Sequence, residues 1–335
     1  MSASVKKSRA AVEQRNLIVP QMRDYDQLGM QQEWVPHLMY FHPRNARLKS
    51  VSTDEFGFRN TTGAKPDAPT ALLIGGSSVF GIGATSDATT IPSLLNAQTK
   101  YNWRNLGGRA FNSTQEAILL HLANIKKIDG PIVVMSGINN LTRSMMSGNF
   151  SPVFGAFFQQ MLFEAAMARS RIGKREAVRR FVSNVSRKIS KRKSKLSVVE
   201  GKSKTSSYLP MLDIFERDCR MIQTVSRANN TNAIFILQPF IPWIDKELTT
   251  EESRLFSLLD QESADFTPIL KELSGIHLKY RDDISDICKT IGLKFFDAND
   301  SAEFKAAEWL FVDRAHFTDR GNLVMSSLIM RYLKS

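Results

Sequence analysis

Long apolar runs, cysteine clusters and a signal-like leader are all missing from this sequence of 335 residues. No stretch approaches the ~18 consecutive apolar residues of a transmembrane helix. The basic N-terminal residues have no apolar segment after them, so they do not match a secretory signal. The two cysteines, Cys219 and Cys288, lie far apart and have no partner at metal-ligand spacing. These absences favour a protein of the reducing cytoplasm with free thiols.

Acidic residues are scarce in one segment, and this segment accounts for the net charge of +12. Residues 169–204 contain fourteen basic and two acidic residues, whereas the rest of the chain has 31 of each and is neutral. Nucleic acid is not an expected partner, because the body is neutral and the basic segment has few aromatic residues for base stacking. Residues 151–206 also carry apolar side chains at helical spacing, which predicts a basic amphipathic insertion. The insertion is either a solvated helix packed on the body or a contact with an anionic membrane surface through residues 169–204.

Short apolar runs alternate with helical patterns over most of the chain. Such runs are typical of strands that are buried on both faces of a parallel sheet. The predicted strands are residues 70–76, 101–108, 131–137, 232–240 and 292–300. This order predicts a three-layer α/β/α sandwich with a five-stranded parallel sheet. We divide the chain into a lead-in of residues 1–68 packed on the core and a domain of residues 69–335, interrupted by the insertion.

The stretch ALLIGGSSVFGIG, residues 71–83, breaks an apolar run with glycines and two serines. A phosphate-binding P-loop needs a lysine and a Ser or Thr after its glycines, and none follows here. The spacing of a dinucleotide-binding G-x-G-x-x-G motif is not kept either. The stretch is therefore either a plain glycine-rich turn or a turn that presents a catalytic serine.

Three further clusters follow predicted strands or precede the last helix, where an α/β sheet places its ligand site. They are NLGGRAFNSTQE (residues 105–116), SGINN (136–140) and FVDRAHFTDRGN (311–322). Asp313 precedes His316 by three residues, so its carboxylate can orient the imidazole as a general base. Taken alone, each cluster is also compatible with an ordinary turn. The other histidines belong to no evident constellation and are expected at the surface or in packing: His37, His42, His121 and His277.

In their order along the chain, the four clusters resemble the blocks of the SGNH (GDSL-type) hydrolase superfamily. That family has a serine block after strand one, a glycine block after strand two, a G-x-N block after strand three and a D-x-x-H block before the last helix. The GGSSVFGIG form, with the GFR lead-in at residues 57–59, resembles a bacterial branch with GGS in place of GDS. The resemblance covers residues 50–145 and 207–335 and leaves the basic insertion unexplained. It implies a flavodoxin-like fold and a serine ester hydrolase that needs no metal and no organic cofactor.

The resemblance also implies roles for single residues. Ser77 would be the nucleophile, His316 its base, and Asp313 the carboxylate that orients His316. A backbone N–H of the glycine block and a side-chain amide would complete the oxyanion hole with the N–H of the nucleophile. The expected oxyanion-hole residues are Ser77, Ala110 and Asn139, with Gly107 or Gly108 as alternatives to Ala110.

Three positions depart from the family pattern. Gly76 stands at the position of the block-one Asp, Ala110 at that of the usual donor glycine, and Asn140 at that of the usual Asp. Ser78 directly follows Ser77, and the family register alone favours Ser77 as the nucleophile.

The expected reaction is removal of an acyl group, for example acetyl, from a carbohydrate, lipid or small-molecule ester through an acyl-serine intermediate. Two alternatives stay open at this point. The same residues could transfer the acyl group to an acceptor other than water. The chain could also be a non-catalytic SGNH-fold protein that acts through its basic insertion at a membrane or a partner. The expected location is the cytoplasm, with peripheral attachment at the inner face of the membrane if the insertion binds lipid.

Overall fold

The computed structural model describes residues 3–65, 67–123, 125–146, 150–158, 208–262 and 267–335. Its centre is one sheet of five strands, in which all neighbouring strands are parallel. The predicted α/β class with a five-stranded parallel sheet is confirmed. The strands are β1 Thr70–Gly75, β2 Asn102–Gly107, β3 Ile132–Ser136, β4 Ala233–Leu237 and β5 Lys294–Asp297.

Helices connect and cover the strands. The helix Ser113–Leu122 begins with a capping box. There the Asn112 side chain accepts the backbone N–H of Gln115, and the Gln115 side chain accepts the backbone N–H of Asn112. The described helices are α1 Ala3–Ile18, α2 Met22–Met30, α3 Ser77–Phe80, α4 Ile91–Gln98, α5 Ser113–Leu122, α6 Ile138–Met146, α7 Pro210–Ala228, α8 Thr250–Glu262, α9 Thr267–Gly275, α10 His277–Ile291, α11 Ala302–Lys305 and α12 Asp319–Tyr332.

Both faces of the sheet are buried. In β1, Leu72 and Ile74 point to one face and Ala71 and Leu73 to the other, because successive side chains of a strand alternate. All four are fully buried. Helices α5, α7 and α10 cover the first face, and α4 and α12 cover the second. This double burial explains why the strands are continuous apolar runs rather than alternating patterns.

The strand order is β2-β1-β3-β4-β5, so the direction in which strands are added reverses at β1. In such a sheet the loops after the two strands at the reversal open a crevice at the carboxyl ends of the strands. Ser77 follows β1, and Asn139 lies one turn into the segment after β3. The topology therefore brings two of the predicted site residues to the edge at which α/β proteins bind their ligands.

The described part of the lead-in, residues 3–65, contains α1 and α2 and then loops with isolated bridges. Tyr25 and Leu28 of α2 are buried with the core on one face of the sheet, and Tyr40 and Phe41 with the core on the other. Burial of each such side chain contributes about 2 kcal/mol to folding. The lead-in thus contacts both layers of the fold.

The predicted basic insertion over residues 151–206 lies outside the described residues, apart from residues 151–158. Its proposed membrane contact through residues 169–204 lies wholly outside them. In the described part of the chain, no helix combines the length and the apolar character required to cross a membrane.

Candidate active site

The turn after β1 is built from glycines because the space beside it is occupied. A Cβ on Gly75 would lie 2.1 Å from the carbonyl oxygen of Met135, and a Cβ on Gly76 would lie 2.7 Å from Nδ2 of Asn139. Gly76 has an extended backbone, and the chain then enters α3 at Ser77. The tight turn places the Ser77 side chain at the carboxyl edge of the sheet, partly exposed to solvent.

A continuous hydrogen-bonded chain joins Ser77, His316 and Asp313. The distance from Ser77 Oγ to His316 Nε2 is 2.6 Å, and the distance from His316 Nδ1 to Asp313 Oδ2 is 2.5 Å. The side chains of His316 and Asp313 are 19% and 20% exposed. Three side chains from opposite ends of the sequence thus meet in the order that the sequence clusters predicted.

Asp313 is held in its ionised form. Burial raises the pKa of its carboxyl group, but the neighbouring His316 and two backbone N–H groups outweigh burial and hold the pKa below its ordinary value. Those N–H groups belong to Ala315 and His316, and each donates to Oδ1 at 2.8 Å. An ionised carboxylate can only accept, so Nδ1 of His316 carries a proton and Nε2 is free to accept one from Ser77.

Asn139, in α6, has its side-chain amide next to Gly76 in the turn after β1. One N–H of its side-chain amide donates to the carbonyl oxygen of Phe111 at 2.8 Å. A primary amide has two such N–H groups, so a second one remains for a ligand. The Ser77 N–H is the first of α3, and the first N–H groups of a helix have no acceptor within it.

The loop from β2 to α5 distinguishes the three backbone candidates for an oxyanion donor. The Gly107 N–H donates to Oδ1 of Asn105, and the Gly108 N–H donates to the carbonyl oxygen of Gly75, both at 2.9 Å. Ala110, in contrast, has no acceptor for its N–H among the described residues. Its backbone is left-handed, with a φ of 58°. Two of the three candidates therefore have their N–H groups engaged, and Ala110 does not.

Ser78 differs from Ser77 in burial and in its hydrogen-bond partners. Its side chain is buried, donates to the carbonyl oxygen of Ala315 at 2.8 Å and accepts from the amide of Gln238 at 2.8 Å. Gln238 directly follows β4 and also reaches the Ala315 carbonyl oxygen. Ser78 and Gln238 therefore connect the turn after β1 to the loop that carries His316. Gln238 was not among the site residues predicted from the sequence, although a polar residue at the end of an apolar strand was the available signal.

Asn140 does not contact the hydrogen-bonded chain of Ser77. Its side chain accepts the backbone N–H of Ser113 at 2.9 Å and donates to the Ser113 hydroxyl at 2.8 Å. The Ser113 hydroxyl in turn donates to the buried carboxylate of Asp218. Asn140, where the family that the motifs resemble usually has Asp, thus links α6 to the start of α5.

A cavity of about 560 Å³ opens beside His316 and Asn139. Its apolar walls come from α6, α8, the end of β4 and the start of the insertion: Ile138, Met146, Phe158, Phe240 and Leu259. At its rim, the carboxylate of Asp260 pairs with the guanidinium of Arg314 at 2.7 Å. A second cavity, of about 600 Å³, lies at the amino ends of the strands and contains none of the predicted site residues. In the described ranges, no group of three or more His, Cys, Asp or Glu side chains is arranged to hold a metal ion.

Two of the remaining histidines have specific partners. His42 is buried between Gly57, whose carbonyl oxygen lies 3.0 Å from Nδ1, and the Arg109 N–H, which donates to Nε2 at 3.2 Å. His277 is buried against Asp297 at 2.8 Å. The expectation of a packing role holds for both, but the contact of His42 with the glycine block was not foreseen.

No family model matches this chain, and the curated proteins give no match either. Solved structures do match it. An acetyl xylan esterase, AlAXEase, is 11% identical with a TM-score of 0.43, and the match covers 78% of this chain and 98% of that one. A catalytic mutant of Axe2, an acetylxylan esterase from Geobacillus stearothermophilus, is 15% identical with a TM-score of 0.41, over 78% and 93% of the two chains. A protein from Desulfitobacterium hafniense DCB-2, assigned to the G-D-S-L family of lipolytic proteins, is 10% identical with a TM-score of 0.41, over 78% and 98%.

The third of these structures is assigned to the G-D-S-L family, which the sequence motifs resemble. At such identities and TM-scores, no substrate and no residue role passes from them to this chain.

Proposed function

We propose that this protein is a serine ester hydrolase with Ser77 as its nucleophile. The observation that carries the proposal is the chain of hydrogen bonds from Asp313 through His316 to Ser77 at the carboxyl edge of the sheet. A serine hydroxyl is a weak nucleophile unless a base removes its proton, and the imidazole Nε2 of His316, 2.6 Å from Oγ, is placed to act as that base. Asp313 fixes the tautomer that makes Nε2 the acceptor.

In the first step, Oγ of Ser77 attacks the carbonyl carbon of the ester while its proton moves to Nε2 of His316. The carbonyl π electrons move to the oxygen, which becomes the oxyanion of a tetrahedral intermediate. The imidazolium that forms is stabilised by the ionised Asp313, which itself stays deprotonated.

Three N–H groups are available to the oxyanion: those of Ser77 and Ala110 and the second N–H of the Asn139 amide. The Ser77 N–H is fixed at the start of α3, the Asn139 amide by its hydrogen bond to Phe111, and Ala110 by the contacts of its loop, so little reorganisation is required as charge develops. Loss of one such donor lowers kcat by about 10²–10³ in well-studied cases.

The intermediate then collapses, the C–O bond to the alcohol breaks, and the alcohol leaves with the proton from Nε2. A water molecule gives a proton to the same nitrogen and attacks the acyl-serine carbonyl carbon. A second collapse releases the carboxylic acid, and the proton on Nε2 returns to Oγ of Ser77. Atoms and protons balance over the two steps, and the protein is regenerated.

We further propose that the cavity beside His316 binds an apolar part of the ester. Aliphatic and aromatic side chains form part of its lining, beside polar residues such as Thr142 and Glu262. Its volume of about 560 Å³ lies within the ~300–1,000 Å³ range of small-molecule sites. We take that part to be the acyl chain, so the preferred substrate should have an acyl chain longer than acetyl.

A fluorophosphonate probe tests the nucleophile. The wild-type chain should be labelled at Ser77, and Ser77→Ala should abolish labelling, because the probe phosphonylates activated serines. Ser78→Ala is the matched control: the same change, one residue away, should leave a labelled protein. Peptide mass spectrometry locates the modified residue. An unlabelled wild type, or equal labelling of Ser77→Ala, would show that the proposal is wrong.

A further inference from the structure

The lead-in forms hydrogen bonds with the loop between β2 and α5 through groups that take no part in the proposed reaction. The Arg109 N–H donates to Nε2 of His42 at 3.2 Å, and the Arg109 guanidinium donates to the carbonyl oxygen of Tyr25 at 2.6 Å. The Tyr40 hydroxyl donates to the carbonyl oxygen of Ala110 at 3.2 Å. The lead-in therefore forms hydrogen bonds on both sides of the free Ala110 N–H. His42 and Tyr25 bind Arg109, and Tyr40 binds the carbonyl oxygen of Ala110.

His42 can hold this position at every physiological pH. Its Nδ1 faces the Gly57 carbonyl oxygen, which can only accept, so Nδ1 carries the proton and Nε2 accepts the Arg109 N–H. Burial, together with nearby arginine charges, lowers the pKa of His42 to about 3, so the ring stays neutral. Its ring also packs on that of Phe80 in α3, with centroids 3.9 Å apart. A single side chain thus contacts the helix of the nucleophile and the loop of the oxyanion donor.

Ala110 needs such support because its backbone is left-handed, a conformation that an L-residue with a Cβ seldom adopts. Glycine would adopt it freely, and glycine is the residue expected here from the family pattern. The alanine conformation must instead be held by its neighbours. Tyr40 is placed to do so, because its hydroxyl bonds Ala110 while its ring packs edge-on against Phe111 at 5.7 Å.

We propose that the lead-in is part of the catalytic machinery, with Tyr40 and His42 as positioning residues that hold Ala110 so that its N–H faces the oxyanion. This inference rests on the proposed ester hydrolysis by Ser77. Tyr40 and His42 touch the loop and not the reacting atoms, so they act through Ala110. Their effect should therefore fall on the transition state and not on substrate binding.

Tyr40→Phe isolates the role because it removes one hydroxyl and keeps the ring packed on Phe111. With p-nitrophenyl butyrate as substrate, kcat should fall about ten-fold, the equivalent of one net hydrogen bond. KM should stay within about two-fold, since an interaction made only in the transition state leaves ground-state binding unchanged. His42→Ala should cost more than His42→Gln, because the glutamine amide retains a donor and an acceptor.

Tyr208→Phe is the matched control. It removes a tyrosine hydroxyl that donates to Asp283 at 2.7 Å and contacts neither the loop nor the Ser77 hydrogen-bonded chain. Its kcat and KM should equal those of the wild type. Wild-type kcat in Tyr40→Phe, or an equal loss of kcat in Tyr208→Phe, would overturn the positioning role.

Amide hydrogen exchange provides a readout that does not depend on activity. In Tyr40→Phe, the peptide that covers residues 107–112 should exchange faster than in the wild type, whereas Tyr208→Phe should leave it unchanged. If the wild type hydrolyses no ester and its Ser77 is not labelled, the proposed function fails. Amide hydrogen exchange of residues 107–112 then decides by itself whether the lead-in holds this loop. Unchanged exchange in Tyr40→Phe would then overturn the inference as well.

Discussion

Gly76 stands where the GDS form of the SGNH family, which the sequence motifs resemble, has an aspartate. Because glycine has no side chain, the Asn139 amide fits next to it. A Cβ there would lie 2.7 Å from Nδ2 of Asn139, well inside van der Waals contact. Asn139 cannot turn away without losing its hydrogen bond to the Phe111 carbonyl oxygen. The Asn139 amide can therefore keep its position only because residue 76 is a glycine.

We expect Gly76→Asp to lower kcat rather than to restore a family feature. The new side chain should displace Asn139 from the oxyanion site, which predicts a loss of about 10²-fold in kcat/KM. Steady-state hydrolysis of p-nitrophenyl butyrate measures it. Gly275→Asp is the control, because a Cβ on Gly275 meets nothing within 4 Å. Full activity of Gly76→Asp would contradict the proposed place of Asn139 in the oxyanion hole.

Among the helices, α5 has a carboxyl group, that of Glu116, buried in the core. Glu116 is 1% exposed, and one of its oxygens accepts the Ser136 hydroxyl at 2.7 Å at the end of β3. Burial raises the pKa of Glu116 from 4.5 to about 8, with a further contribution from the charge of Asp218. The folded protein therefore keeps a proton here at neutral pH, whereas the unfolded chain releases it.

This difference makes α5 a source of pH-dependent stability. Between pH 4.5 and about 8 the folded state binds one proton more than the unfolded state, so the free energy of unfolding decreases as pH rises. The contribution of Glu116 should fall by about 1.4 kcal/mol per pH unit and become constant above pH 8. Glu116→Gln removes it while keeping the shape of the side chain.

Urea unfolding of both proteins at pH 5.5, 6.5 and 7.5 tests the prediction. The stability of Glu116→Gln relative to the wild type should increase by about 1.4 kcal/mol with each pH unit. Other titrating groups are common to both proteins and cancel in the difference. Stability curves that run parallel over this range would show that Glu116 ionises normally.

At the scale of the whole molecule, the cavity is assembled from α6, α8 and the segment after β4, which lie far apart in the sequence. If it binds the acyl chain, each additional methylene should raise kcat/KM about four-fold until the cavity is full, since burial of a methylene contributes about 0.8 kcal/mol. The p-nitrophenyl acetate, butyrate and octanoate esters form a suitable series.

Leu259→Trp should narrow the cavity, reduce kcat/KM for octanoate to near the acetate value and leave acetate hydrolysis unchanged. Leu122→Trp introduces the same residue at a half-exposed position on α5 that does not line this cavity. An identical chain-length profile in Leu259→Trp and the wild type would assign the cavity to another part of the substrate.

The sheet could be predicted from the sequence because buried parallel strands are short, continuous apolar runs between helices. The position of Ser77 at the carboxyl edge could also be predicted, because it directly follows a strand of a parallel sheet. Its grouping with Asp313 and His316 was predicted from the resemblance to the SGNH blocks, since those two residues precede the last helix and do not follow a strand directly. The contacts of His42, Tyr40 and the loop after β2 could not be predicted. They depend on how non-periodic segments pack, and neither hydrophobic period nor motif spacing encodes that.

The contact between Ser77 and His316 joins residues 239 positions apart. Ribosomes add about 5–20 residues per second, so the serine is made roughly 10–50 s before its base. Throughout that interval the nascent chain contains Ser77 but lacks His316, the proposed acceptor of the serine proton. If Ser77 and His316 act as proposed, chains that stop before residue 316 should lack esterase activity.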